Sequence, residues 1–143
     1  MNKLLIAMSI LFFASPSYAQ TKDVPQECKV IRVVDGDTLE VPLSCLPKDM
    51  KLFVRVNGVD TPEKGGKAKC PSEAALAEKA SAHTRDLVAK ANSVAVITVP
   101  KWDKFGGRML GDVSLAGVDL TKSLISAGLA RPYHGEAKSS WCQ

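Results

Sequence analysis

Leu52-Phe53-Val54-Arg55-Val56-Asn57-Gly58-Val59-Asp60-Thr61-Pro62-Glu63 is the stretch on which fold and chemistry both turn. Leu52, Val54 and Val56 alternate with Phe53, Arg55 and Asn57, a period of two that predicts a half-buried strand over 51–58. Arg55 then points away from the apolar row. At the end of the strand stand two acids, Asp60 and Glu63, around a Thr-Pro turn. One reading is purely structural: Thr61 before Pro62 has the form of a helix N-cap followed by an N1 proline. The other is a site, and the rest of the chain has to supply its partners.

Upstream, Val30-Ile31-Arg32-Val33-Val34 is a β-branched run that predicts a strand, with 20–27 a polar arm before it. Asp35-Gly36 marks a tight turn into Thr38–Leu43, where Pro42 suggests an edge or a bulge. Downstream, Glu63–Lys69 reads as a mobile Gly-Lys loop. Pro71-Ser72-Glu73 opens a helix over 72–91 with Leu76, Ala80, His83 and Leu87 on its apolar face. Val94–Val99 is a strand stopped by Pro100. Arg108–Leu115 is another, with Met109, Val113 and Leu115 on one face and Arg108 and Asp112 on the other. A short helix at 120–127 is closed by Gly128. Three strands, a helix, two strands and a short helix predict a five-stranded barrel of the oligonucleotide/oligosaccharide-binding type, mainly β with helices. The alternative is an α+β sheet with helices on one face. Short connections argue against a doubly wound parallel sheet.

The first nineteen residues stand apart. Lys3 precedes an apolar run, Leu4–Ala14, and Ser17-Tyr18-Ala19 offers the small residues a signal peptidase reads. The expectation is a cleaved signal peptide at 1–19, a single domain at 20–143, and a secreted or periplasmic monomer with no membrane span after cleavage. Cys28, Cys45, Cys70 and Cys142 are an even set, which suits an exported protein with disulfides. Of three pairings, Cys28–Cys45 with Cys70–Cys142 is favoured. The first two flank the predicted hairpin turn, and the second pair would tie the last residues down. The formal charge of +4 permits a polyanionic substrate and does not require one.

Two acidic turns beside strands, Asp35-Gly36-Asp37-Thr38 and Asp60-Thr61-Pro62-Glu63, together offer an all-oxygen set for a hard cation. Asp-Gly-Asp alone is an ordinary hairpin turn. Arg55 and Arg108 are either solvated or a pair of planar forks for phosphate oxygens. Glu63 could take a proton from an attacking water. His83 and His134 read as packed or solvated side chains. Trp102, Phe105 and Tyr133 could stack on bases or pack into turns.

Taken in order, Val34-Asp35-Gly36-Asp37-Thr38, Arg55 with Asp60-Thr61-Pro62-Glu63, Lys104-Phe105-Gly106-Gly107-Arg108 and Ala127-Gly128-Leu129-Ala130-Arg131-Pro132-Tyr133 resemble the staphylococcal-nuclease-like (thermonuclease) family over about residues 28–135. The resemblance implies a five-stranded barrel and a Ca²⁺-dependent phosphodiesterase acting on DNA and RNA and leaving 3′-phosphates. By position it makes Asp37, Asp60 and the Thr61 carbonyl the calcium ligands, with Asp35 behind them. Arg55 and Arg108 would bind the scissile phosphate and Glu63 would be the general base. Phe105 and Tyr133 would be substrate contacts. The chain departs from the family pattern in three places: a second glycine before Arg108, Phe105 in place of a tyrosine, and an end soon after Tyr133 without a long third helix. A non-catalytic barrel that binds nucleic acid or another partner is the competing reading, and a structural disulfide domain a third.

Overall fold

The structure is a computed structural model that describes residues 26–42 and 51–142. Its strands are β1 (Gln26–Lys29), β2 (Arg32–Asp35), β3 (Thr38–Pro42), β4 (Lys51–Val56), β5 (Val59–Asp60), β6 (Val94–Trp102), β7 (Arg108–Leu115), β8 (Val118–Asp119) and β9 (Arg131–Pro132). Two helices, α1 (Pro71–Lys90) and α2 (Leu120–Ser126), pack against them. The main sheet runs β1-β6-β7-β4-β3-β2. Its two ends are the two halves of one stretch, residues 26–35, bent at Val30–Ile31. Val30 N donates to Ser93 O on one side of the bend and Ile31 N to Glu40 O on the other. The sheet therefore returns on itself, and with 26–35 counted as one bent strand it is the predicted five-stranded barrel. The polar arm expected at 20–27 already joins β1 at Gln26, because pairing with β6 satisfies its backbone.

Most of this mixed sheet is antiparallel, as short turns require. The exception is β4 on β7, which run parallel. Parallel neighbours need a long crossover, and α1 with β6 supplies it. The core is the inward row that the period-two pattern marks: Leu39, Val41, Leu52, Val54, Val56, Val113 and Leu115, closed below by Leu120 and Leu124 of α2.

Four local expectations change. Pro100 does not stop β6, which continues to Trp102; the register shifts between Thr98 and Lys101, so the proline falls at a bulge. Thr61-Pro62 caps no helix, and α1 starts only at Pro71 with Cys70 as its N-cap. The loop expected to be mobile contains a 3₁₀ turn, Gly65–Lys67, with Lys64 paired to Glu78 at 3.1 Å. The buried face of α1 is Glu73, Ala77, Ala80, Ser81 and Thr84, turned by about one residue from the expected row, with Leu76, His83 and Leu87 half-buried at its border. Small residues on that face let the helix approach the barrel closely. His83 Nε2 lies 2.8 Å from Ser123 Oγ, so this histidine ties α1 to α2. Cys70 and Cys142 form the expected disulfide. The pairing proposed for Cys28 lies outside the described residues, since Cys45 is not among them, and so does the expected signal peptide.

Candidate active site

Asp37 reaches its position through glycine. The turn Gly36–Asp37 joins β2 to β3, and Asp35 faces Thr38 across it. A Cβ on Gly36 would come within 2.8 Å of Ala80 Cβ and 2.9 Å of Thr61 Cγ2. The glycine is needed for close approach of α1 and the 59–63 segment. Thr84 Oγ1 fixes the turn by donating to Gly36 O at 2.7 Å. Asp37 is left 2 % exposed, facing the end of β4.

There it meets Arg55. Nη1 of Arg55 donates to Asp37 Oδ1 at 2.9 Å and Nη2 to Val59 O at 3.1 Å. Thr38 Oγ1 also donates to Asp37 Oδ1, and Thr61 N to Oδ2 at 3.2 Å, which binds the two acidic turns together. Asp37 N in turn donates to Asp35 Oδ1 at 3.2 Å. Burial pushes the Asp37 carboxyl up to about 7, the Arg55 guanidinium pulls against that, and neighbouring Asp35 adds to the rise.

Asp60, on β5, is 5 % exposed. Its Oδ2 accepts from Trp141 Nε1 at 3.2 Å. Its Oδ1 lies 2.6 Å from Lys138 Nζ and 3.5 Å from Arg55 Nη2, so two cationic groups already converge on this buried oxygen. Lys138 Nζ also donates to Glu63 Oε1 at 3.1 Å. Desolvation pulls the Lys138 ammonium down, but its contacts with Asp60 and Glu63 outweigh that and hold it above the usual lysine value.

Glu63 itself is oriented from behind. Glu73, on the buried face of α1, is 3 % exposed. Its carboxylate accepts from Lys69 N at 2.7 Å and Glu63 N at 3.2 Å, and the first of these bonds leads in holding its pKa below the ordinary value.

Above these groups lies a cleft of about 670 Å³. Arg55, Glu63, Arg108, Phe105, Tyr133 and Lys138 all line it. Its wall has six lysines and arginines against three acids, a balance that suits a polyanion. Arg108 is braced by an ion pair from its Nε to Asp103 Oδ2 and stacks over Phe105, 4.6 Å from the ring centre. Phe105 is an exposed platform. The structure thus brings Asp35, Asp37, Arg55 and Thr61 into one hydrogen-bonded cluster, with Asp60 paired to its arginine at 3.5 Å. Glu63 joins it through Lys138, and Arg108, Phe105 and Tyr133 stand around the same cleft.

The model of the staphylococcal nuclease homologue family matches residues 53–141. The chain belongs to that family. No curated protein matches it. Membership in the staphylococcal nuclease homologue family supports a nuclease-like or nucleic-acid-binding function. The family match extends past Tyr133 into the tail, where two residues that the sequence reading passed over, Lys138 and Trp141, touch Asp60. Their one signal was the neighbouring Cys142, whose bridge to Cys70 requires the tail to cross this end of the barrel.

The donor set fits a hard divalent cation. Asp37 and Asp60 converge from two turns, every candidate donor is oxygen, and the buried Asp60 Oδ1 already draws two cationic groups, Lys138 and Arg55. Glu63 stands apart from that pair. Among the described residues the acid-and-sulfur trio whose ligand atoms lie within 4.8 Å of one another is Cys70, Glu73 and Cys142, and its sulfurs are bonded together.

Proposed function

We propose that this protein is a Ca²⁺-dependent phosphodiesterase that hydrolyses DNA and RNA with low sequence preference and leaves 3′-phosphates. The observation that carries the reading is the convergence of Asp37, Arg55 and Asp60 beneath a basic cleft that Glu63 and Arg108 also line. When bound, Ca²⁺ held by Asp37, Asp60 and the Thr61 carbonyl would supply positive charge next to the phosphate oxygens. Arg55 and Arg108 offer planar, permanently charged forks to the same phosphate and stabilise the charge that builds on it during attack. Glu63 accepts a proton from water as its oxygen adds to phosphorus. The bond to the 5′ oxygen breaks, and that oxygen leaves as a hydroxyl after protonation. Phe105 and Tyr133 give the flanking bases surfaces to stack on. Asp35 orients Asp37 from behind.

The test is release of acid-soluble nucleotides from DNA and from RNA. Activity should need Ca²⁺, disappear with chelator, and fall at least about a hundredfold with Glu63→Ala or Arg108→Ala, the scale of a lost base or anion donor. Activity that survives both substitutions overturns the reading. One observation favours a non-catalytic nucleic-acid binder instead: Lys138 already neutralises Asp60 and Glu63. Tight DNA binding indifferent to Ca²⁺, without cleavage, would decide for that alternative. The Cys70–Cys142 bridge supports action in an oxidising compartment, periplasm or medium. A cell-derived product whose mass still includes residues 1–19 would count against export.

A further inference from the structure

The tail after β9 is built into the site. Arg131 stacks on Trp141, 3.8 Å from the ring centre, and donates to Ser140 O at 2.9 Å. Trp141 donates to Asp60, and Cys142 is bonded to Cys70 at the start of α1. Lys138 lies between these anchors and Tyr133, with Nζ 5.8 Å from the Tyr133 ring centre. The segment therefore has little freedom to carry its ammonium elsewhere. That ammonium is 2.6 Å from Oδ1 of the buried Asp60. An ammonium is a compact point charge that offers three donors, so it can bridge two carboxylates, here Asp60 and Glu63.

We propose that Lys138 is the affinity-determining residue of the cation site, a tethered internal cation that a divalent ion must displace from Asp60. The inference rests on the reading of Asp37 and Asp60 as ligands. Two cations cannot share one carboxylate oxygen at contact distance in a buried setting without strong repulsion. Entry of the divalent ion thus requires Nζ to leave Oδ1, and the tail's anchors oppose that departure. The bridge to Cys70 sets the local concentration of the competitor. Lys138 keeps its remaining hydrogen bond to Glu63 when it yields Asp60. The tail consequently weakens cation binding without needing to block the cleft.

The experiment is calorimetric titration of Ca²⁺ into chelator-treated protein, without nucleic acid, at fixed pH and salt. Lys138→Met removes the charge and keeps the stem, so Kd should fall by at least about tenfold. Lys138→Arg keeps the charge and should bind Ca²⁺ more weakly than Lys138→Met does. Cys142→Ser, verified as folded by circular dichroism, should tighten binding too, and adding Lys138→Met to it should give less than the full single effect. Asp37→Asn should lose binding. Equal affinities for the parent and Lys138→Met overturn this inference alone, because Asp37 and Asp60 would still be the site. Absence of binding in every variant, or binding that Asp37→Asn leaves intact, overturns the ligand assignment along with it.

Discussion

The two halves of the site are held in different ways. Asp37, Arg55 and Thr61 sit on turns and strand ends of the barrel and hold one another, Asp37 and Thr61 nearly without solvent; Asp60 is as buried, but its hydrogen bond comes from Trp141 of the tail and joins the two halves. Arg108 at the start of β7, Phe105 on the loop before it, and Lys138 and Trp141 on the tail are half-buried or exposed, and are held by ion pairs, ring contacts and a disulfide. The packed half cannot move without cost to the core. The rim half can be loosened while the barrel stays folded. On the function proposed above, the geometry that would hold a cation is largely part of the fold, whereas grip on substrate would depend on contacts that can be tuned separately.

The largest expected effect breaks the rim half. The Cys70–Cys142 bridge spans a sequence separation of 72. Loop-closure entropy for a crosslink of that order is worth up to about 4 kcal/mol. Cys142→Ser should therefore lower stability in urea melts by about 2–4 kcal/mol, while hydrogen exchange rises first in 133–142 and least in the barrel strands.

Breaking the packed half comes next. Arg55→Ala leaves Asp37 buried beside no guanidinium, and removal of one partner from such a pair costs about 3 kcal/mol. The penalty should be larger at pH 8 than at pH 5, where Asp37 takes up a proton. The same sign applies to the parent chain. A carboxyl raised above its ordinary value favours the fold fully below about pH 4, and this contribution is lost as pH climbs through about 7. In chelator, Asp37→Asn should flatten that part of the stability curve; an unchanged slope between pH 4 and 8 would show that Asp37 is not the group responsible.

A smaller change tests the packing behind the turn. Gly36→Ala puts a methyl 2.8 Å from Ala80 Cβ, with overpacking expected to cost about 1–3 kcal/mol. Ala80→Gly should recover part of this in the double variant if the clash is the cause. The smallest effect is a control on the exposed loop: Lys64→Ala, which removes the pair with Glu78, should shift stability by less than about 1 kcal/mol.

Much of the packed half was legible in the sequence because it lies on periodic strands and at turns whose residue types have few other uses. The Leu52–Val56 alternation placed Arg55 opposite the core, and the structure puts it there. Asp-Gly-Asp named the right turn, yet for a different reason: tight approach of α1, a relation between residues 44 positions apart, Gly36 and Ala80. Helical periodicity found α1 but picked the larger apolar residues, whereas contact with the barrel selects small ones, Ala77 and Ala80. Glu73 looked like a first-turn acid and in fact gathers the 63–69 loop onto itself. Lys138 and Trp141 were illegible because neither belongs to a periodic element; the disulfide and the contacts of Arg131 bring them to the site.

One consequence follows from the bend at Val30–Ile31. Because residues 26–29 seal β6 and 32–35 seal β3, the barrel is fastened by a single segment at its very beginning. Trimming that segment, or clipping it by proteolysis, would leave β6 with an open, β-branched margin ready to recruit the same margin from another copy. Loss of residues 26–29 would therefore favour association of copies through β6.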